Sequence, residues 1–261
     1  MREDAASIIG SIPYRLALAG GWIDQPFVST HNPSPPGSMV VVSLVPTFPL
    51  MDRCGLATST RKVAMELWKG KLPAGEPARL VEEIYQAENE GKPYVSGSQD
   101  MIGMIYPGSS RLDYDFTHKG GIFPKHIESN TDPEVAKWFE SVFNMVPYWP
   151  RPAGYDPIAV KNIDPKWVAR LGQSGKDCYD AITRMDAAKL GASLTEAMAC
   201  WEALVPHSIT YPGMPPTLLP MLRHYQSRYH GAMYSGPGGG YYYVISDQRV
   251  PGGMTVSVRT R

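Results

Sequence analysis

The sequence predicts an α+β fold, and three observations carry that prediction. Short runs rich in β-branched and aromatic residues, 39–44 (MVVVSL), 112–116 (LDYDF) and 241–246 (YYYVIS), read as strands. Longer segments with apolar residues at three- and four-residue spacing lie between them and read as helices. Asp-Pro pairs at 132–133 and 164–165 mark two helix starts, with Asp as the cap and Pro in the first turn. A chain of 261 residues is long enough for one large domain or two small ones with real cores.

Composition narrows the class of partner. Hydrophobic residues make up 43 % and charged residues 19 %, with a formal net charge of +0. A broad electrostatic attraction to nucleic acid or to an anionic membrane is therefore not expected. Cys54, Cys178 and Cys200 are far apart and form no CxxC pair, which argues against a cysteine zinc site and fits a reducing compartment. The opening MREDAASIIGSIPYR does not read as a signal peptide, because its apolar run is short and Arg15 interrupts it. No run approaches the ~20 apolar residues a membrane helix needs. The expectation is a cytoplasmic protein, monomer or homodimer, without nucleic-acid or membrane partners. The six histidines show no metal-ligand spacing.

In chain order, Leu16 to Ala19 reads as a short strand ending at Gly20-Gly21, with Trp22, Asp24 and Gln25 in a tight loop. Two glycines after a strand let the backbone turn and let a ligand approach closely, although a plain turn has the same composition. Arg15 and Asp24 place a cation and an anion at the two ends of this unit. After the strand 39–44, a loop with Pro46 and Pro49 leads to 54–60 (CGLATST). Arg61 to Lys69 then reads as a helix, with Gly70 as its stop. Gly55, Thr58, Ser59 and Thr60 would sit at the helix N-terminus, where free N–H groups favour a phosphate. Simple Ser/Thr capping is the other reading.

Pro77 to Glu90 is the next predicted helix. Leu80, Ile84 and Glu88 share one face, so Glu88 extends an apolar stripe. An unpaired charge is costly there, so Glu88 needs a cation, an arginine or a metal, unless the helix ends and frees it to solvent. In 96–108 (SGSQDMIGMIYPG), Asp100 stands at the mouth of the apolar run 101–106. It is either a helix cap or a working acid. The helix from Pro133 would bury Val135, Trp138, Phe139, Val142 and Phe143; the one from Pro165 would bury Trp167, Val168 and Leu171. Helical patterns run over 178–190, 194–204 and 218–229. The loop 235–240 (SGPGGG) holds more glycine than a hairpin requires, ahead of the strand 241–246. A last strand is expected over 255–259.

Taken together and in order, these stretches resemble the motifs of the GHMP small-molecule kinases, named for galactokinase, homoserine kinase, mevalonate kinase and phosphomevalonate kinase. The closest likeness is to the sugar-kinase branch of L-fucokinase and the heptose 7-phosphate kinases. Residues 13–24 (PYRLALAGGWID) are similar to the first motif, an arginine followed by (A/G)GG-(W/G)-(S/T)-D. Residues 54–60 are similar to the phosphate motif GLG(S/T)SS, 97–100 (GSQD) to G-x-Q-D, and 236–240 (GPGGG) to the third motif, GAGGGG. Glu88 lies twelve residues before Asp100, where that family has a metal-ligand glutamate. The departures are Ala57 in place of a glycine, Ile23 in place of a small hydroxyl residue, and Arg61-Lys62 where small or apolar residues are usual.

The resemblance implies a two-part architecture. Residues 1–117 would form an α/β sandwich with a left-handed crossover that binds ATP, and 118–261 a ferredoxin-like layer. It implies an ATP- and Mg²⁺-dependent kinase acting on a sugar or sugar phosphate, at the anomeric hydroxyl. Gly55, Leu56, Ala57, Thr58, Ser59 and Thr60 would cradle the phosphates; Ser59, Thr58 and Glu88 would hold the metal. Asp100 would take or orient the acceptor proton, with Arg15 beside it. Asp24, Gly20, Gly21, Trp22, Gly97, Gln99, Gly236, Gly238, Gly239 and Gly240 would line the acceptor site. The alternatives are a non-catalytic sugar- or nucleotide-binding regulator on the same fold, motivated by the altered GLATST loop, and a kinase of a non-sugar alcohol.

Overall fold

The computed structural model describes residues 9–92 and 96–261. The signal-peptide expectation rests in part on residues 1–8, which lie outside them. Two antiparallel sheets organise the chain. The first has the order β1 (Tyr14–Ala17), β2 (Gly37–Leu44), β3 (Ser109–Tyr114), β4 (His126–Asn130); the second has β5 (Phe143–Pro147), β7 (Tyr241–Ile245), β6 (Gly231–Tyr234). The helices are α1 (Pro26–Ser29), α2 (Thr58–Leu67), α3 (Pro77–Asn89), α4 (Gln99–Ile105), α5 (Pro133–Val142), α6 (Pro165–Thr183), α7 (Ala187–Leu204) and α8 (Leu218–Arg228).

Period-2 alternation decides what each face of the first sheet touches. Arg15, Ala17, Val41 and Ser43 share one face through the pairs Arg15–Ser43 and Ala17–Val41. Helix α4 lies on that face. A Cβ at its Gly103 would collide with Arg15 Cγ, and Ser43 Oγ donates to the Met104 carbonyl at 3.1 Å. Helix α6 covers the opposite face. A Cβ at Gly172 would stand 2.8 Å from Gly37 Cα, and Tyr179 packs against the Arg111 guanidinium. The second sheet is covered by α7 and α8, with Gly191 of α7 pressed on the backbone of His230 and Gly231.

Most predicted elements form, with shifted ends. Helix α2 begins at Thr58, three residues before the expected Arg61, because Ala57 adopts a left-handed turn (φ 55°) that starts the helix early. The pattern over 178–190 divides between α6 and α7. Met185 takes φ 54° in the connection, and Asp186 accepts from Lys189 N–H at 3.0 Å as the new cap. No strand forms over 255–259. Met254 bridges Met145 of the second sheet while Val258 bridges Leu44 of the first, so the segment ties the two sheets together without a ladder of its own. Every hydrogen-bonded strand pair among the described residues is antiparallel. Strands β4, β5 and β6 are additions; β4 is a mostly exposed edge strand with little apolar signal. Among the described residues no helix is long and apolar enough to cross a membrane.

Candidate active site

Strand β1 brings Arg15 into the interior, where it is only 4 % exposed. Its Nη2 donates to Asp100 Oδ1, and its Nη1 donates to the Gly55 carbonyl at 3.2 Å. Burial lowers the guanidinium to about 10, against the opposing pull of Tyr243 and Asp24. Asp100 sits in the first turn of α4, but Ser98 occupies the cap position there. The Asp100 carboxylate is turned instead toward Arg15 and toward Thr60 Oγ1, which donates to Oδ2 at 3.3 Å. It is therefore not a helix cap, and one carboxylate joins β1, α2 and α4.

The loop before α2 is shaped for an anion. Gly55 takes φ +78° and Ala57 the left-handed turn, which leaves the N–H groups of Thr58, Ser59 and Thr60 without acceptors inside the helix. The β6–β7 hairpin loop closes over it. Ser235 Oγ donates to the Cys54 carbonyl, and a Cβ at Gly236 would stand 2.7 Å from Gly55 Cα. The two glycine-rich motifs thus touch backbone to backbone. Gly236→Ala is expected to cost about 1–3 kcal/mol through overpacking. Its thermal unfolding midpoint should drop by several degrees. A variant as stable as the parent would show that the close approach is dispensable.

Asp24 is 2 % exposed and accepts from Gln25 Nε2 at 3.2 Å. Gly97 makes room for it, since a Cβ there would collide with Asp24 Oδ2. Burial raises the Asp24 pKa above the ordinary carboxylate value, against the lowering effect of its hydrogen bonds and of Arg15. Between the unfolded and the raised folded pKa, the folded state holds a proton that the unfolded state has lost. Stability contributed by that proton is present below the ordinary value and declines as pH rises through the folded one. Asp24→Asn is therefore expected to unfold at higher temperature than the parent at pH 7, with the gap closing below pH ~4. A midpoint equal to or below the parent's at pH 7 would overturn this.

These groups line a single cavity of about 420 Å³, within the range of small-molecule sites. Of the expected site residues, Arg15, Gly21, Trp22, Asp24, Gly55, Ala57, Thr58, Ser59, Gly97, Gln99, Asp100 and Gly236 are on its wall. Thr60 reaches it through Asp100. Leu56 is fully buried in the core, and Gly20, packed on Ser38 and Met39, supports the wall from behind. Gly238, Gly239 and Gly240 pack on Tyr155, Leu218 and Cys54 rather than on the cavity. Trp22 adopts φ 84°, and its buried indole N–H has no partner among the described residues; the same holds for Gln99 Oε1.

Glu88 is buried on α3, as the apolar stripe requires, and is partnered by Lys92 Nζ at 3.8 Å. Its Oε2 has no partner among the described residues, and it is not on the cavity wall. No group of three or more His, Cys, Asp or Glu side chains among the described residues is placed to hold a metal. Among the oxygens on the wall are the Thr58 and Ser59 hydroxyls and the Asp100 carboxylate, donors that suit Mg²⁺ when phosphate oxygens and waters complete the shell.

Sequence reasoning missed Arg151 and Trp201, which also line the cavity. Trp201 Nε1 donates to the Gly21 carbonyl at 3.0 Å and so holds the first motif. Its helical spacing gave only a core signal. Arg151 lies in a proline-rich loop with no pattern to mark it.

No protein-family model matches the chain, and no curated protein matches it. Solved structures do. Mevalonate kinase of Methanococcus jannaschii aligns with a TM-score of 0.58 and 11 % identity over 90 % of this chain and 89 % of that one. A D-glycero-D-manno-heptose 1-phosphate kinase from Bacteriodes thetaiotaomicron gives 0.52 and 12 % over 96 % and 95 %. Lactococcus lactis galactokinase, solved with galactose, gives 0.54 and 12 % over 91 % and 85 %. At such identities the likeness is one of fold, and the fold is that of the GHMP kinases.

Proposed function

From the fold it shares with those kinases, we propose that this chain is an ATP- and Mg²⁺-dependent kinase that phosphorylates a sugar or sugar-phosphate hydroxyl, the anomeric one. The observation that carries the proposal is the meeting of the Arg15–Asp100 pair and the 55–60 loop in one cavity. Asp100 accepts the proton of the acceptor hydroxyl as its oxygen bonds to the γ-phosphorus. The bond from that phosphorus to the β–γ bridging oxygen breaks, and the electron pair leaves with ADP. Arg15 holds Asp100 in place and sets a fixed cation beside the transferring group. The free N–H groups of 58–60 bind phosphate oxygens. Magnesium supplies charge neutralisation on the phosphates when bound. Thr58 and Ser59 would hold it, and Glu88 enters the proposal through its unpartnered Oε2 alone. Asp24, Gln99 and Trp22 bind acceptor hydroxyls. The division into 1–117 and 118–261 is part of the same proposal, with β4 and α6 of the second part completing the first sheet and its covering layer.

The test is ADP formation from ATP and Mg²⁺ with a panel of sugars, sugar phosphates and mevalonate. Transfer to a sugar supports the proposal. Transfer to mevalonate alone would make the acceptor a non-sugar alcohol. Nucleotide binding with no transfer to any acceptor would leave a binding protein on this fold.

A further inference from the structure

Arg151 and Arg53 come from the two halves of the chain and interlock. The Arg151 backbone N–H and Nε both donate to the Arg53 carbonyl, at 3.2 and 3.1 Å. The Arg53 guanidinium donates in return to the Arg151 carbonyl. The clasp adjoins the anion-shaped loop, since Arg53 precedes Cys54-Gly55 and Arg151 lines the cavity with Gly55 and Gly236.

Its charge is uncompensated. Neither arginine forms an ion pair with an acid among the described residues, and the neighbouring Asp52 is engaged by Lys62 Nζ at 2.6 Å. The two carboxylates on the cavity wall are accounted for otherwise: Asp100 pairs with Arg15, and Asp24 is held by Gln25. Burial lowers the Arg151 pKa and the nearby Arg53 lowers it further, whereas Tyr155 and Cys54 oppose this. Two like charges fixed side by side repel, and an anion between them removes the repulsion. A guanidinium held through Nε keeps both terminal nitrogens free for a forked contact, which matches two phosphate oxygens.

We propose that the Arg53–Arg151 clasp is a phosphate-binding subsite that extends the 55–60 loop outward. Its ligand is a phosphate group of the nucleotide or of a phosphorylated acceptor. The kinase reading enters only in naming these two sources.

The test is calorimetric titration of the parent, Arg151→Met and Arg53→Met with inorganic tripolyphosphate. Each substitution is expected to weaken binding by about 10- to 100-fold. Arg53 is exposed, so its variant reports on the subsite even if Arg151→Met folds poorly. Parallel titrations with ATP and with glucose 6-phosphate against glucose identify the source: the ligand whose affinity falls in both variants is the one the clasp holds. Tripolyphosphate affinity unchanged in Arg53→Met, or no tripolyphosphate binding by the parent, overturns the proposal. Tripolyphosphate binding that depends on the clasp, in a protein that transfers phosphate to no acceptor, would sink the kinase reading and leave the subsite standing.

Discussion

Asp100→Asn is expected to lower phosphoryl transfer by about 10²–10⁴-fold while nucleotide binding persists. The substitution keeps an oxygen that Arg15 can reach but removes the base. It is nearly isosteric, so the fold should survive. Arg15 loses its ionic partner, and breaking a buried pair costs about 3–5 kcal/mol at the extreme. The Asp100 side chain is 27 % exposed, so solvent offsets much of that, and a modest drop in unfolding temperature is expected. The informative readout is therefore transfer in single turnover at saturating ATP, with ATP affinity measured alongside. Transfer within threefold of the parent would remove Asp100 from its assigned role. A parallel collapse of ATP affinity would instead assign it to nucleotide binding.

Arg15→Met is expected to lower transfer by about 10²–10³-fold, the size of effect seen when one fixed electrostatic donor is lost. The two variants differ in their effect on stability. Methionine fills much of the same volume and abolishes the burial cost that lowers the Arg15 pKa to about 10. Asp100 loses its partner but is partly solvated, and the Gly55 carbonyl also loses a donor. Thermal stability should therefore hold or rise while transfer falls. A variant that loses transfer only in proportion to a loss of folded protein would show Arg15 to be structural. With Arg15→Lys, charge is kept but the fork that reaches both Asp100 and Gly55 is lost, so partial transfer is expected.

The sequence by itself marked glycines at turns, hydroxyls at a helix start and a carboxylate beside an apolar run. The resemblance of its motifs to the GHMP kinases is what singled out Arg15, Asp24, the 55–60 loop, Gly97, Asp100 and Gly236 as site residues. The sequence also determined the α+β class, since strand and helix periods are local properties. Only the tertiary structure decided what those residues do together. Asp100 taken alone reads more readily as a cap than as an acid, until β1 brings Arg15 across 85 residues to meet it. Glu88 was legible as a buried charge, but its partner, Lys92, and its place off the cavity wall follow from packing. Gly238, Gly239 and Gly240 look like site residues in the sequence and turn out to fit against Tyr155, Leu218 and Cys54. Arg151 was invisible, because its meaning lies in Arg53, 98 residues away. The stretch 255–259 failed as a strand for a related reason: Val258 bridges Leu44 of the first sheet while Met254, just before the stretch, bridges Met145 of the second, a long-range choice that no local period records.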